Sequence, residues 1–218
     1  MGLKVFDLDG TLIHCDSSSQ FCHFCVSKGL VKDPDYLTKE REVMNSYSAQ
    51  KMQIEDYIKI QLEPLLGLSK EQVAQLSDEF VETQAGQYIY QQGREIIKSY
   101  LEAGDRVVIV SATAEFIVKA VAKSLGVEDV IAIQIEEDGV GYSDRVKGTP
   151  SYREGKVTRL KAWLAQEQLS LDQSYFYSDS INDLPLLELV DHPVATNPDA
   201  KLKALAEGEG WEILEFSK

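Results

Sequence analysis

Positive charge is scarce in this sequence, and long apolar runs are missing. The 218 residues include 22 Lys and Arg against 36 Asp and Glu, which gives a formal net charge of −14 at pH 7. Proteins that bind nucleic acid neutralise phosphates with Lys and Arg, and anionic membrane surfaces attract the same residues. The charge balance therefore predicts no nucleic-acid partner and no membrane partner.

The apolar residues are spread through the chain. No apolar run reaches the length of a membrane span, and the first residues lead into a strand without the pattern of a signal peptide. We therefore expect a soluble, cytoplasmic protein. The apolar fraction of 44% is enough for a large core, so the chain could form one large domain or a domain with a sizeable insertion.

Cysteine is also scarce, and the few cysteines lie close together. They are Cys15, Cys22 and Cys25, with His14 and His23 among them. This group of soft ligands suggests zinc as one hypothesis. A structural zinc site usually has two separated ligand pairs, and no second pair follows. We favour the alternative in which Ser17 or Asp16 caps a helix and the cysteines are small core residues.

Apolar periodicity divides the chain into three parts. A buried-strand pattern at residues 3–8 is followed by helical patterns from 17 to about 84, with a capping box at Ser69–Gln72. Helices and strands then alternate, with helices at 94–102, 114–125 and 156–168, strands at 106–110, 130–135 and 174–177, and short final elements near 182–189 and 194–195. Continuous Val and Ile strands separated by helices predict a parallel sheet that is covered on both faces.

The predicted fold is therefore α/β, a doubly wound parallel sheet built from residues 1–14 and 86–218. Residues 15–85 would form an inserted helical cap domain over the carboxyl ends of the strands. Glycines and polar residues between 136 and 154 predict a β-hairpin flap at the same rim. We expect hinges near 14–17 and 84–88, where the chain enters and leaves the cap.

Two carboxylates follow the first strand directly. Asp7 and Asp9 precede the turn glycine Gly10. Alternate side chains of a strand share a face, so both point to the same side if the chain stays extended through Leu8. Open α/β sheets bind ligands at the carboxyl ends of their strands. We therefore expect the pair at the mouth of a crevice.

Later segments place further polar residues at equivalent positions. Ser111 follows a strand where a helix begins, and the free N–H groups there favour an anion. Lys156 lies near another helix start, while Asp179, Asn182 and Asp183 follow a further strand. Together with the first pair, these residues provide oxygen ligands for a hard cation such as Mg²⁺ and donors for a phosphate group.

Each of these residues also has an ordinary structural interpretation. Asp9 and Gly10 are typical of turns. Ser111 could cap its helix, and Lys156 could be a solvated surface charge. The aspartates of the last segment could cap a short helix. The occurrence of all the segments in one order, each at a strand end or helix start, favours a single site.

The ordered set resembles the four motifs of the haloacid dehalogenase superfamily of aspartate-nucleophile phosphatases. The motifs are Asp7-x-Asp9-Gly10-Thr11, Ser111 after an apolar strand, Lys156, and Asp179-x-x-Asn182-Asp183. The resemblance covers essentially the whole chain and implies a Rossmann-like core. A helical insertion between the first two motifs is similar to the cap of the subfamily that contains phosphoserine phosphatases.

The resemblance implies a role in catalysis or phosphate binding for several of these residues. Asp7 would attack phosphorus and form an aspartyl phosphate. Asp9 would protonate the leaving alcohol and then activate water. The phosphoryl oxygens would be held by Ser111, Ala112 and Lys156.

The resemblance also implies a bound Mg²⁺. Asp7, the backbone carbonyl of Asp9, and Asp179 would be its protein ligands, with Asn182 and Asp183 supporting them. The implied function is Mg²⁺-dependent hydrolysis of a small phosphomonoester, so the expected partner is a small-molecule substrate.

Two other functions use similar residues. A phosphotransferase or mutase would form the same aspartyl phosphate but would keep water out. A receiver-like phosphoacceptor signalling domain also surrounds Mg²⁺ with carboxylates, a Ser or Thr and a Lys. Such a domain lacks a long helical insertion after its first strand, so we favour the hydrolase.

The sequence is less specific about the substrate. Ala112 and Thr113 stand where phosphoserine phosphatases have two adjacent glycines, which counts against phosphoserine itself. Asp16 occupies the position where those enzymes carry an acidic residue that meets the substrate's amino group, and it could equally cap a helix. Further candidates for contacting substrate charge are Arg41, Arg145 and Arg153. We predict a small phosphomonoester, with an amino group as its one suggested feature.

Overall fold

The structure, a computed structural model, describes residues 2–48 and 54–218, without the side chains of 46–48. Its strands are β1 (Leu3–Phe6), β2 (Arg106–Ala114), β3 (Asp129–Ile133), β4 (Ile135–Glu137), β5 (Tyr142–Val146), β6 (Tyr175–Ser178), β7 (His192–Thr196) and β8 (Glu212–Leu214). Its α-helices are α1 (Ser17–Ser27), α2 (Tyr36–Ser48), α3 (Ile54–Leu62), α4 (Lys70–Thr83), α5 (Gln91–Glu102), α6 (Glu115–Leu125), α7 (Glu154–Glu167), α8 (Leu184–Leu187) and α9 (Ala200–Glu209).

Six strands form a sheet in the order β3-β2-β1-β6-β7-β8, and every neighbouring pair in it is parallel. The chain builds the sheet outward from β1 through β2 to β3, and then from β6 through β7 to β8. The direction of winding therefore reverses between β1 and β6. In open α/β sheets such a reversal leaves a crevice at the carboxyl ends of the strands, where ligands bind.

Both faces of this sheet are covered. Phe6, Val107 and Ile109 pack in one buried cluster with residues of α5 and α6. Val5 and Val108 face the opposite way and pack in a second cluster with residues of α7, α8 and α9. Alternate side chains of a strand point to opposite faces, and both faces of this sheet are buried. The strands therefore consist of continuous apolar residues. The predicted doubly wound α/β fold is confirmed.

Some predicted boundaries were wrong. The second strand continues past Val110 to Ala114, because Ala114 pairs with Ile133 after an irregularity in register. The helix that follows therefore begins at Glu115, with Ala114 at its N-cap, and the interpretation of Ser111 as a helix cap is wrong. The predicted strand at 130–135 is two strands, since Ile135 starts the antiparallel hairpin of β4 and β5.

Helices α1 to α4 lie between β1 and α5 in the chain. The start of α1 is capped by Asp16, whose Oδ1 accepts a hydrogen bond of 2.8 Å from the backbone N of Ser19. The start of α4 carries the predicted capping box, in which Ser69 and Gln72 exchange side-chain to backbone hydrogen bonds. Local sequence signals thus fix where these helices begin.

Cys22 and Cys25 are buried on α1, as the core interpretation predicts, and Cys15 is half-buried. The Tyr36 hydroxyl donates to Cys22 Sγ at 3.2 Å. Burial raises the pKa of Cys25 to about 12, as expected of a thiol packed among apolar side chains. Within the described residues, no group of three or more His, Cys, Asp or Glu is arranged to hold a metal ion.

Among the helices within residues 2–48 and 54–218, none is both long enough and apolar enough to cross a bilayer.

Candidate active site

A cavity of about 450 Å³ lies at the carboxyl edge of the sheet. Its wall contains every residue that the sequence assigns to catalysis, phosphate binding or metal binding: Asp7, Asp9, Ser111, Ala112, Lys156, Asp179, Asn182 and Asp183. These residues come from distant parts of the chain. The parallel sheet brings them together because the carboxyl ends of β1, β2 and β6 meet at one edge.

Asp7 lies at the end of β1 and is only 7% exposed. Its backbone N donates to Tyr177 O at 2.9 Å, which continues the pairing of β1 with β6 and fixes the residue. Its Oδ1 accepts from Lys156 Nζ at 2.7 Å, and its Oδ2 accepts from Thr11 Oγ1 at 3.2 Å. The carboxylate is therefore held in one orientation by donors on both oxygens.

Lys156, in the first turn of α7, is 3% exposed, so its interpretation as a solvated surface charge is wrong. Its Nζ also donates to Asp183 Oδ2 at 2.7 Å, and the same oxygen accepts from Ser178 Oγ at 2.8 Å. Asp183 precedes α8 but makes no side-chain cap there. Two carboxylates thus stabilise a cation that a helix N-terminus alone would disfavour.

Ser111 is held at the edge of the cavity by its neighbours. Its Oγ accepts from the backbone N of Thr113 at 3.1 Å. Its backbone carbonyl accepts from Ser151 Oγ at 2.6 Å. This hydrogen bond packs the loop before α7 against the end of β2. The loop itself is tight where it enters α7, because a Cβ on Gly155 would lie 2.0 Å from Pro150 O.

Asp9 also faces the cavity, as the alternation along the strand predicts. Its Oδ1 accepts from the backbone N of Ser17 at 2.6 Å, and its Oδ2 accepts from Thr113 Oγ1 at 2.8 Å. The chain turns just after this residue, where Gly10 has a φ of +81°. The side chain of Asp9 is thus oriented by donors from α1 and from β2.

Five aspartates line the cavity against two lysines, Lys156 and Lys218, so its wall carries excess negative charge. Burial raises the pKa of Asp7 to about 7, although Lys156 acts in the opposite direction. Burial also raises the pKa of Asp9, and burial together with Asp7 raises the pKa of Asp179 well above its ordinary value. Burial lowers the pKa of Lys156, but Asp183 and Asp7 outweigh that effect and raise it overall. A bound cation would stabilise the ionised carboxylates.

The donors present fit Mg²⁺ by their chemistry. Thr11 Oγ1 lies 3.3 Å from Asp179 Oδ1 and accepts from the Asp179 backbone N at 3.0 Å, so it links this residue to Asp7. A Cβ on Gly10 would lie 2.2 Å from Asp179 Oδ2, so only glycine leaves room for that carboxylate. Two carboxylates and the Asp9 carbonyl would leave further positions to water and phosphate, as Mg²⁺ prefers.

Asp16 lines the cavity and caps α1 at the same time, so the two interpretations of this residue are compatible. Burial, reinforced by Asp9, raises its pKa to about 7. Glu40 on α2 is also buried, and it accepts from Ser19 Oγ. The mouth of the cavity beside α1 is therefore acidic.

The arginines are placed differently from the expectation. Arg41 and Arg145 are exposed and do not line the cavity, and Arg145 Nε donates to Glu136 at 2.9 Å across the hairpin. Arg153 does not line the cavity either, but its guanidinium lies 4.9 Å from the ring centre of Tyr152, which does. The structure therefore places none of these three arginines in the cavity wall.

Sequence reasoning missed the aromatic part of the cavity wall. It consists of His14, Tyr57, Tyr90 and Tyr152. These residues lie on separate loops and helices, and no spacing in the sequence relates them. Sequence reasoning also treated Thr113 only as a departure from a glycine pair and did not find its hydrogen bond to Asp9.

A model of the family described as haloacid dehalogenase-like hydrolase matches residues 5–188. The chain belongs to the haloacid dehalogenase-like hydrolases. It is 39% identical over 218 residues to a histidinol-phosphatase of Neisseria meningitidis serogroup C, and the match covers 98% of each chain. The predicted family and its enzyme class, phosphoric monoester hydrolase, are confirmed.

Solved structures give the same result for the fold of this haloacid dehalogenase-like hydrolase. A protein of unknown function from Bordetella pertussis Tohama I superposes with a TM-score of 0.90 at 36% identity, covering 97% of each chain. A substrate-bound phosphoserine phosphatase superposes with a TM-score of 0.69 at 16% identity, covering 98% of this chain and 92% of the other. The second likeness concerns the fold alone.

Proposed function

We propose that this hydrolase is a Mg²⁺-dependent phosphatase that acts on small phosphomonoesters through an aspartyl phosphate on Asp7. The observation that carries the proposal is the environment of the Asp7 carboxylate. It is buried at the cavity wall, oriented by Lys156 and Thr11, and accompanied there by Ser111. A fixed carboxylate beside a cation and a hydroxyl is suited to attack phosphorus and to hold the phosphoryl oxygens.

In the first step, an Asp7 oxygen forms a bond to phosphorus while the bond to the leaving alkoxide breaks. Asp9 gives its proton to that alkoxide, and its raised pKa favours the protonated form that this step needs. In the second step, Asp9 takes a proton from water, which attacks phosphorus and releases Asp7 and inorganic phosphate. Bound Mg²⁺ would supply positive charge between Asp7 and the anionic substrate.

We propose that residues 15–85 act as a cap over the core formed by 1–14 and 86–218. Three residues of this segment, Cys15, Asp16 and Tyr57, line the cavity together with the core motifs. A cap that contacts substrate can exclude bulk water during the first step and admit one water molecule for the second.

We propose a phosphorylated amino alcohol as the substrate, with histidinol phosphate as the first candidate. The 39% identical relative is named a histidinol-phosphatase. The acidic mouth at Asp16 suits an ammonium group, and the rings of His14, Tyr57 and Tyr90 suit a planar heterocycle. Five aspartates, two lysines and no arginine line the cavity in the described part of the chain, which favours an amine without a carboxylate over phosphoserine.

The test is release of inorganic phosphate from histidinol phosphate and from phosphoserine, each with Mg²⁺ and with EDTA. We expect faster release from histidinol phosphate and almost none with EDTA. Asp7→Asn should abolish release, because the amide is a poor nucleophile. Asp172→Asn, an exposed carboxylate before β6, is the matched control and should keep full activity. Full activity of Asp7→Asn would contradict the proposal.

A second experiment distinguishes a hydrolase from a phosphotransferase. Acid quenching of a reaction with ³²P-labelled substrate should trap labelled protein in the unaltered enzyme and none in Asp7→Asn. Labelled protein that decays only when an acceptor alcohol is added would favour a phosphotransferase, because water would then fail to reach the intermediate.

A further inference from the structure

The carboxylate of Asp9 is held from two sides of the cavity. On one side, the backbone N of Ser17, the first residue of α1, donates to Oδ1 at 2.6 Å. On the other side, Oγ1 of Thr113, the next-to-last residue of strand β2, donates to Oδ2 at 2.8 Å. The group proposed to transfer the proton is therefore oriented by the helical insertion and by the sheet together.

Thr113 is 2% exposed, and its hydroxyl has a second polar neighbour. Its Oγ1 lies 3.2 Å from Ser18 Oγ on α1. A hydroxyl has one proton to donate, and an ionised carboxylate can only accept. When Asp9 is ionised, Thr113 must therefore give its proton to Asp9, and Ser18 gives its own to Thr113. The result is a chain of hydrogen bonds from α1 through β2 to the carboxylate.

The backbone of Thr113 is tied to the phosphate-binding segment as well. Its N–H donates to Ser111 Oγ at 3.1 Å. Thr113 thus fixes the distance between the serine that would hold a phosphoryl oxygen and the acid that would reach the leaving oxygen. General acid catalysis depends on such placement, since proton transfer needs hydrogen-bond reach.

We propose that Thr113 is a positioning residue that aims the Asp9 carboxyl at the leaving-group oxygen, and that Ser18 makes this orientation dependent on α1. The inference rests on the proposed function. A buried hydroxyl is unfavourable unless it is hydrogen-bonded, so packing alone does not explain a threonine here when valine has the same shape. The hydrogen bonds to Asp9 and Ser18 provide the reason.

The test compares Thr113→Val, which keeps the shape, with Thr113→Ser, which keeps the hydroxyl. The substrates are histidinol phosphate, whose alkoxide leaves poorly without a proton, and p-nitrophenyl phosphate, whose phenolate leaves without one. We expect Thr113→Val to lower kcat/KM about 30-fold for the alkyl ester, within the range of general acid catalysis. For the aryl ester we expect a change below about threefold, and Thr113→Ser should restore the alkyl reaction to within about threefold.

An equal fall with both substrates, or no fall with either, would overturn the inference, because a structural role does not distinguish leaving groups. If the unaltered enzyme hydrolyses neither ester, the proposed function fails instead. Should histidinol phosphate not be turned over, glycerol 2-phosphate takes its place as the alkyl ester.

A second variant keeps the test decisive if Thr113→Val does not fold. Ser18→Ala removes the α1 end of the hydrogen-bond chain and leaves Thr113 in place. We expect a smaller fall in kcat/KM, about threefold, again confined to the alkyl ester. Equal rates of the Ser18→Ala variant and the unaltered enzyme with both esters would contradict the part assigned to α1.

Discussion

At the level of individual residues, the balance between buried carboxylates and buried lysine constrains this site most. Asp7 and Asp183 share the buried Lys156, and the carboxylate of Asp179 lies nearby, with its Oδ1 3.3 Å from Thr11 Oγ1. Such an arrangement suits a site that receives a cation and a phosphate, and it costs stability while they are absent. Substitutions at these residues should therefore all lower activity, whereas their effect on stability should depend on the sign of the charge that is removed.

The first prediction concerns Lys156. Lys156→Met leaves two buried carboxylates without their cation, so we expect the free energy of unfolding to fall by about 3 kcal/mol and activity to be lost. Asp7→Asn removes one excess negative charge and should leave stability unchanged or higher while activity is also lost. Urea unfolding of both variants without Mg²⁺ provides the comparison. Equal stability of the two variants would contradict this account of the site.

The second prediction concerns Gly10. A side chain there would lie 2.2 Å from Asp179 Oδ2, and the backbone has a φ of +81°, which non-glycine residues rarely adopt. Gly10→Ala should therefore displace the Asp179 carboxylate, raise the Mg²⁺ concentration needed for half-maximal activity at least tenfold, and lower stability by about 1 kcal/mol. Gly29→Ala, also at positive φ but with open space around it, is the control for backbone strain. An unchanged Mg²⁺ requirement in Gly10→Ala would count against the assignment of Asp179 as a ligand.

The helix boundaries that carry a local capping signal are the features that the sequence predicted best. The capping box of α4 needs only residues within one turn, and both of its hydrogen bonds are present. The signal for the end of α6 was equally local, because Gly126 follows the last turn and adopts the left-handed conformation there. The end of β2 was mispredicted, because its length depends on the partner strand β3, whose pairing is not encoded near Ser111.

The α4 capping box gives a prediction about one element. Ser69→Ala removes the acceptor for the Gln72 backbone N–H, so the free energy of unfolding should fall by about 1 kcal/mol. Ser99→Ala, in the exposed last turn of α5, should change it by less than about 0.5 kcal/mol. Urea denaturation followed by circular dichroism measures both. A Ser69→Ala variant as stable as the control would show that tertiary packing alone fixes the start of α4.

For the chain as a whole, the sequence predicted which segments meet but not how their side chains contact one another. The motif residues could be assigned to one edge because parallel strands end together there. The link from Ser18 through Thr113 to Asp9 could not be predicted, because Ser18 at a helix start and Thr113 at a strand end are 95 positions apart in the chain. The aromatic wall was missed for the same reason, since Tyr57 and Tyr90 are far apart in the chain and line one cavity only in the folded protein.

The predicted hinges at 14–17 and 84–88 lie beside each other in the structure. The His14 backbone N donates to Tyr88 O at 2.9 Å, and the Tyr90 backbone N donates to Leu12 O at 2.9 Å. The rings of His14 and Tyr88 also meet edge to face at 5.1 Å. Any movement of the helical insertion relative to the sheet must deform these two hydrogen-bonded segments, so their backbone amides should report it.

We therefore predict that hydrogen exchange in segments 12–17 and 84–90 slows when beryllium fluoride and Mg²⁺ mimic the phosphorylated Asp7. A closed site holds the two connections in one conformation, and fewer opening fluctuations then expose their amides. Helix α9, on the opposite side of the sheet from α5 and α6, is the internal control and should exchange at the same rate in both states. Asp7→Asn cannot form the mimic, so its exchange should not respond to beryllium fluoride. Slowing in α9 equal to that in the two connections would indicate general stabilisation by the ligand, whereas unchanged exchange in 12–17 and 84–90 would contradict movement about these hinges.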